Sequence, residues 1–427
     1  MTESKNNNDK SMRSKSYFRY LIFVLMLVQI LDTYSTLYPG SMPSVIVKEF
    51  FPLIDDDDVT SAIVTLAGSI ISIGMYFLFF NQYLVDKVGR KRMLAITILG
   101  MSIASLGMFL SVSYEMYVAF QFFLYFFFMS DIWLIYANEE SKQNKRALNT
   151  NIILMAGLLG AIIMVIFRLV FVTDVNPNWR AMTLFPMVFG IPLSIVILFT
   201  LKETTEFQSM KEAPTRNSRS FFEDIKSVFQ TENKKPFIYI LVISFLFGFS
   251  NLFIGLFEKY IADIGSISQS QVTLIFLMTI FTVMIAYLTN GFLADRIGRK
   301  PLLYLWSFLL PISVIIWVLG ANNPSNALLI VLIGYALSHI SYWGLWGIIR
   351  IIALELMPTD RRGTGIGIRS FIGAIGITTG LLISSFVVLE LGLGITFIIF
   401  VFGNLLIIPL GFLFVKETKG VDLKDIK

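Results

Sequence analysis

Two carboxylates stand where carboxylates are costly. Asp32 lies in the run Leu31-Asp32-Thr33-Tyr34-Ser35, well inside one apolar stretch, and Asp131 lies deep in another. An ionisable group inside a hydrocarbon layer is expensive unless it is paired or wet, so each is a functional candidate by default. A carboxyl that takes up a proton loses its charge and can then move with its helix through a medium of low dielectric, which is the chemistry of a proton-coupling site. The alternatives are a permanent bond from Asp32 to a neighbouring hydroxyl or Arg, and an intramembrane ion pair for Asp131. Arg350 precedes Glu355 by five residues and Arg369 follows Arg362 by seven. Each either snorkels its head group to the surface or faces an internal cavity, where it favours an anionic substrate such as a carboxylate. Arg168, near the far end of its own stretch, reads as snorkelling. The sole histidine, His339, shares a helical face with Tyr342, Trp343 and Trp346. That face is either helix packing or an aromatic wall with one polar handle. Asn251, after Gly248 and Ser250, and Gln121, before an aromatic run, complete the candidate substrate contacts.

Such residues need apolar helices to hold them. Of 427 residues, 56% are hydrophobic and 15% charged, with a mean hydropathy of +0.74, beyond the roughly 45–50% apolar content of soluble domains. Stretches long enough to cross a hydrocarbon core of about 30 Å recur at 18–39, 59–80, 93–113, 115–137, 150–172, 180–201, 237–257, 271–293, 302–320, 327–354, 364–388 and 393–415. Twelve crossings return the chain to its starting side. Most of the 34 Lys and Arg residues fall in the tails and even-numbered loops; Lys48, Arg180 and Lys259 are the exceptions in odd-numbered loops. The positive-inside rule therefore predicts cytoplasmic termini. Residues 1–19 are polar and basic, but the apolar run after them meets Asp32 and Thr33 in place of a small-residue cleavage site, so a retained first helix is expected. The acidic run Asp55–Asp58 precedes the second span, where an aspartate caps a helix N-terminus; ion capture is the alternative.

The resulting expectation is an all-α membrane protein with twelve transmembrane helices in two six-helix bundles. Its parts are a cytoplasmic tail (1–17), an N-terminal bundle (18–201), a cytoplasmic linker rich in Lys, Glu, Ser and Asn (202–236), a C-terminal bundle (237–415) and a second tail (416–427). Zero cysteines exclude disulfides, thiol catalysis and thiolate metal sites. With no His-rich cluster, nucleotide loop or nucleophile motif, neither an enzyme, a metal site nor a cofactor is expected. The basic loops are short and distributed, which argues against nucleic acid.

The chain repeats itself. Asp86-Lys87-Val88-Gly89-Arg90-Lys91 follows the second span and Asp295-Arg296-Ile297-Gly298-Arg299-Lys300 the eighth, their aspartates 209 residues apart. Glu139 and Arg146 recur 216 residues later as Glu355 and Arg362, and Lys202-Glu203-Thr204 recurs 214 later as Lys416-Glu417-Thr418. One nearly constant offset marks a duplicated unit.

These loops, together with the Glu355–Gly363 run, Trp179-Arg180 and the closing Lys-Glu-Thr-Lys-Gly, resemble the major facilitator superfamily, nearest its sugar porters and metabolite:proton symporters. The resemblance covers the chain outside its tails and linker. It implies two bundles that rock about a site near the bilayer midplane. It also implies gating roles for Asp86, Arg90, Asp295 and Arg299, with Lys91, Arg296, Glu139, Arg146, Glu355 and Arg362 completing the charge network. The segment around Asp32 resembles the first-helix Asp-Gly-x-Asp motif of the symporters, with Ser35 in place of the second aspartate. Two departures stand out. Gln82 replaces a glycine of the first loop motif, and span four carries Gln121 and a phenylalanine-rich run in place of an arginine and glycines. The implied function is proton symport of a small polar metabolite, a sugar or an organic acid, by a monomer in the plasma membrane. Uncoupled facilitation, drug–proton antiport and a non-transporting nutrient sensor are the alternatives. If the first loop gates, Asp86→Asn will slow turnover while leaving substrate affinity near wild type; unchanged turnover in an uptake assay would refute the role.

Overall fold

The computed structural model describes residues 14–128, 132–141, 146–212, 221–265, 267–323, 325–358 and 361–420, with the side chains of 86, 146, 147, 210–212 and 221 outside that description. Asp131 therefore lies outside the described residues, as do the side chains of Asp86 and Arg146. Among the described residues the structure is helical apart from one isolated bridge between Val172 and Pro177.

The N-terminal half contains α1 (Lys15–Leu37), α2 (Pro43–Phe50), α3 (Asp57–Ser72), α4 (Phe77–Val88), α5 (Arg90–Phe109), α6 (Tyr114–Phe126), α7 (Ile132–Glu140), α8 (Arg146–Phe171) and α9 (Leu184–Thr200). Two short helices, α10 (Thr205–Glu212) and α11 (Phe221–Val228), lie between the halves in sequence. The C-terminal half contains α12 (Lys234–Ser250), α13 (Phe253–Lys259), α14 (Gln269–Ile297), α15 (Arg299–Ala321), α16 (Ala327–Glu355), α17 (Arg362–Val401) and α18 (Ile407–Phe414). Among the described residues, ten segments are long and apolar enough to cross a bilayer. Hydropathy predicts twelve, and the difference has two sources. Span four is divided between α6 and α7, and spans eleven and twelve run on as one 53-residue segment, Arg362–Phe414, with non-helical Gly392 inside it.

Local chemistry starts these helices where hydropathy places them. Asp56 accepts from the N–H groups of Asp58 and Val59 at 2.9 and 3.1 Å, so the acidic run does supply a cap. Ser113 caps α6 at 3.2 Å, and Ser268 with Gln271 forms a capping box on α14. Helices α1 and α8, α5 and α9, α12 and α17, and α15 and α16 pack as pairs, while α3 against α17 and α8 against α14 join the halves. Between α12 and α17 the backbones nearly touch: a Cβ on Gly376 or Gly380 would come within 2.2 or 2.4 Å of the Phe245 or Phe249 carbonyl. Lipid tails are as apolar as leucine, so close contact through small residues substitutes for a hydrophobic drive to associate. The outward surface is correspondingly greasy, with Phe199, Leu319, Phe386 and Phe412 all exposed.

The two repeated loops turn through Gly89 and Gly298, whose φ values are 110° and 103°. A side chain there would be strained, and it would also collide with a carboxylate: a Cβ would lie 2.4 Å from Glu203 Oε2 at the first turn and 2.6 Å from Glu417 Oε2 at the second. Gly298→Ala and Gly89→Ala should each destabilise the protein by about 1–3 kcal/mol, read as a lower Tm in detergent. An unchanged Tm for both would show that these turns are not constrained.

Candidate functional site

The termini-bearing face carries one arrangement twice. Arg90, at the start of α5, spans both carboxylate oxygens of Glu139 on α7 (Nε 3.1 and 3.2 Å, Nη2 2.9 Å) and donates to the Val85 carbonyl at 3.3 Å. Arg299, at the start of α15, does the same to Glu355 on α16 (Nε 3.2 and 3.0 Å, Nη2 2.8 Å) and to the Ala294 carbonyl at 2.9 Å. Such forked, charge-assisted contacts fix geometry as well as charge. The first N–H groups of α5 reach Glu203 (Arg90 3.0 Å, Lys91 3.2 Å), and those of α15 reach Glu417 (Arg299 2.9 Å, Lys300 3.0 Å). Partial burial opposes the Glu417 charge, yet the N–H groups of Arg299, Lys300, Lys419 and Thr418 hold its carboxyl below the ordinary pKa.

The carboxylates on these helix N-termini are thus the glutamates of the Lys-Glu-Thr repeats, seated where glycine leaves room. Asp295 is 77% exposed and pairs with Arg299 at 3.0 Å. Arg362 donates to the carbonyls of Leu354 and Met357 at 3.1 and 3.2 Å. Arg296 is exposed, and its carbonyl accepts from Lys419 at 2.7 Å. Each of these contacts lies within one half. Gln82, the departure in the first loop, lies with Phe79 against Gly367 of α17, where the missing side chain makes the room.

The opposite face is different, because there the polar contacts cross between halves. Arg168 on α8 and Glu258 on α13 form an ion pair at 3.6 Å with both side chains 0% exposed. Arg168 also donates to the Ser41 carbonyl (2.9 Å), the Gln269 carbonyl (3.1 Å), the Thr273 hydroxyl (2.7 Å) and Gln269 Oε1 (2.6 Å). Glu258 accepts from the N–H and hydroxyl of Ser44 at 2.9 and 2.6 Å. One turn away, Asp263 receives Lys48 from α2 (2.5 Å) and Lys259 (2.6 Å), and Lys259 also donates to Thr60 of α3 at 2.9 Å. Although partial burial disfavours its charge, Lys48 is held above its ordinary pKa by Asp263. At the rim Asp174 accepts from Ser270 (2.7 Å) and from the Gln269 N–H (2.5 Å), and the Ser270 hydroxyl is the main reason its pKa lies below the ordinary value. Above the pair, Ser44, Lys48, Glu49, Asp174 and Gln269 help line a cavity of about 520 Å³.

The expectation that Arg168 snorkels is therefore wrong: its head group is buried and saturated by partners from both halves. Glu258 and Asp263 were not singled out by the sequence, and Lys259 stood out only as a basic residue in an odd-numbered loop. The signal was present, since Glu258 is the first residue past span seven, but hydropathy boundaries shift by a few residues and the charges read as loop.

Between the two faces lie the remaining candidates. On α1, Tyr34 donates to the Met182 carbonyl (2.7 Å) and Tyr38 meets Ser105 (3.3 Å), while Gln29 and Thr33 face Gly157 of α8. Asp32 is half-buried on the sector between these two contact faces. Gln121 is half-buried on α6. Asn251, where α12 gives way to α13, donates to the Phe247 carbonyl (2.5 Å) and clasps Asn404 (3.3 Å), so its amide ties helices together. On α16, Trp343, Trp346 and Arg350 form a half-buried strip at helical spacing. The Arg350 and Arg369 guanidinium carbons stand 5.4 and 6.0 Å from the Trp346 ring centre, and the Trp343 and Trp346 rings meet edge to face at 5.7 Å. His339, one turn beyond Trp343, is buried and bonded at both ring nitrogens, to Thr282 (2.8 Å) and Trp343 (3.1 Å).

A helical chain with this many apolar crossings and charge networks inside each half is an integral, multi-pass membrane protein. It belongs to the Major Facilitator Superfamily, whose family model matches residues 16–257 and again residues 238–426. Among curated proteins it is similar to a putative niacin/nicotinamide transporter of Bacillus subtilis, 25% identical over 84% of this chain and 87% of the relative. It is also similar to the cis,cis-muconate transport protein of Acinetobacter baylyi (24%, covering 70% and 71%) and to a sialic acid transporter of Escherichia coli (31%, covering 47% and 51%). Among solved structures, a D-xylose-proton symporter shares the fold with a TM-score of 0.75 at 14% identity, over 95% of this chain and 99% of that one. An inward-facing bacterial homologue of the lysosomal transporter Spinster gives 0.72 at 12%, over 94% and 97%.

Because removing one member of a buried ion pair costs about 3–5 kcal/mol, Glu258→Gln should loosen the opposite face. The chain has 0 cysteines, so Ala262→Cys gives a single reporter in the cavity above the pair. Thiol labelling there should quicken severalfold in the Glu258→Gln background; an unchanged rate would show that the pair does not hold the halves together.

Proposed function

We propose that this protein carries a small organic anion bearing a carboxylate across the plasma membrane by alternating access, in symport with protons. The observation that carries this reading is the basic, aromatic strip in the C-terminal half, where Arg350 and Arg369 both stand against the Trp346 ring. Guanidinium groups bind carboxylates through forked, charge-assisted hydrogen bonds, and indole faces give a conjugated or ring-shaped acid an apolar surface to lie on. The relatives support this reading: niacin, muconate and sialic acid, named in the three related transporters, are carboxylic acids, although the first is named for the neutral amide nicotinamide as well.

Asp32 is the proposed proton-coupling residue, with Asp131 as the second candidate. Gln121 faces the strip's substrate from the N-terminal half. The Arg90–Glu139 and Arg299–Glu355 assemblies make each half rigid at the cytoplasmic end, so that Asp86, Arg146, Lys91, Asp295, Arg296 and Arg362 act on a preformed hinge. The Arg168–Glu258 pair closes the external end. Twelve crossings with both termini cytoplasmic agree with the basic bias of the terminal-face loops and with the left-handed turn at Gly392, φ 76°, inside the last apolar segment.

Proteoliposomes offered labelled nicotinate, muconate, sialate and xylose, with and without an imposed pH gradient, test the proposal. The acids should accumulate against their gradients only when the exterior is acidic, and Asp32→Asn should abolish that accumulation. Arg369→Gln should raise KM about tenfold or more, the consequence of losing about 1.4 kcal/mol of binding. Accumulation of xylose alone would overturn the carboxylate assignment, and equal uptake without the pH gradient would replace symport with facilitation.

A further inference from the structure

The lone histidine is bonded in a way that leaves one arrangement of its protons. Trp343 Nε1 lies 3.1 Å from His339 Nε2, and an indole nitrogen can only donate. His339 Nε2 must therefore accept, which places the imidazole proton on Nδ1. Nδ1 lies 2.8 Å from the Thr282 hydroxyl oxygen, and that hydroxyl has its own acceptor, the Thr279 carbonyl at 2.9 Å. Each donor thus meets one acceptor: indole to imidazole, imidazole to hydroxyl, hydroxyl to carbonyl. A tautomer with the proton on Nε2, or an imidazolium, would set two N–H groups against each other. The ring is further held by Tyr335, stacked at 5.1 Å and bonded through its own hydroxyl to Thr279 at 2.9 Å. With 5% of its surface exposed, His339 has neither a free nitrogen nor an open face for a substrate.

We infer that His339 is a positioning residue: fixed in the Nδ1–H tautomer by Thr282 of α14, it sets the orientation of Trp343 on α16 and thereby the shape of the aromatic wall against which the substrate lies. This rests on the proposed substrate strip, and it makes Thr282, whose hydrogen bond reaches that strip through His339, a determinant of affinity. A tautomer is a two-state choice. Removing the Thr282 acceptor therefore disturbs Trp343 through an intact histidine.

The test uses two independent readouts on the full-length protein. The first is the indole N–H resonance of Trp343 in ¹⁵N-tryptophan-labelled protein, assigned by its loss in Trp343→Phe. The second is the split between KM and kcat for carboxylate uptake. Thr282→Val should shift the resonance and raise KM about three- to tenfold, the net worth of one hydrogen bond, with kcat little changed; Thr282→Ser, which keeps the hydroxyl, should restore both. His339→Gln, whose amide oxygen reaches toward the Nε2 position, should preserve the resonance better than the shorter His339→Asn. In a Trp343→Phe background, Thr282→Val should add nothing to KM. If Thr282→Val leaves the resonance in place, the relay is refuted whatever the substrate. If the resonance moves while KM stays constant, Trp343 is oriented as described but is not part of the substrate wall, which overturns the inference and leaves the arginine-based reading to stand on its own test.

Discussion

A buried charge must meet its partner, and in this protein the partners come from different halves. Arg168 and Glu258 are both fully removed from solvent, and neither half alone satisfies them: Glu258 needs Ser44 from α2, and Arg168 needs Gln269 and Thr273 from α14. Desolvating two ions is repaid only when geometry and hydrogen bonds are complete. The pair therefore tolerates one docking of the halves on that face and resists small displacements. Lys259, Asp263 and Lys48 repeat the device one turn away.

The other face shows the complement. There the charges bind helices to neighbours within the same half, in two copies related by the internal repeat. Glycine is required at both turns because a glutamate carboxylate occupies the space a side chain would take, while its oxygens accept the first peptide N–H groups of the next helix. Each half is thus braced at that face by its own charges. In the proposed alternating access, halves braced in this way would convert the opening or closing of one face into the reverse motion at the other.

The candidate residues divide unevenly between the halves: the C-terminal half carries the tryptophan strip with two arginines against it, and the N-terminal half carries Asp32 and Gln121. That distribution is what the proposed division between substrate recognition and proton handling rests on. Trp343, Trp346 and Arg350 keep partial exposure, whereas His339 and Asn251, equally eligible by residue type, bond to Thr282 and Trp343 and to Phe247 and Asn404.

Sequence alone determined the class of fold, the duplication and the residues of the paired Arg–Glu contacts of the terminal face, because these depend on local properties: hydropathy over about 20 residues, which decides whether a segment can cross, and short motifs repeated at one offset. It also marked Asp32, Arg350, Arg369 and the aromatic strip, since an ion in an apolar run stands out without any knowledge of its surroundings. Tertiary structure alone decided which partner each group meets. Arg168 looked like a residue reaching for the surface and is instead at the centre of a buried clasp. Glu258 looked like the first residue of a loop. The acid on each helix N-terminus proved to be a glutamate more than a hundred residues further along the chain, as in the Glu417 contact with Arg299. The tautomer of His339 follows from an indole one turn away and a hydroxyl on another helix. Burial and pairing are properties of packing between distant segments, and one-dimensional periodicity carries no record of which distant segments meet.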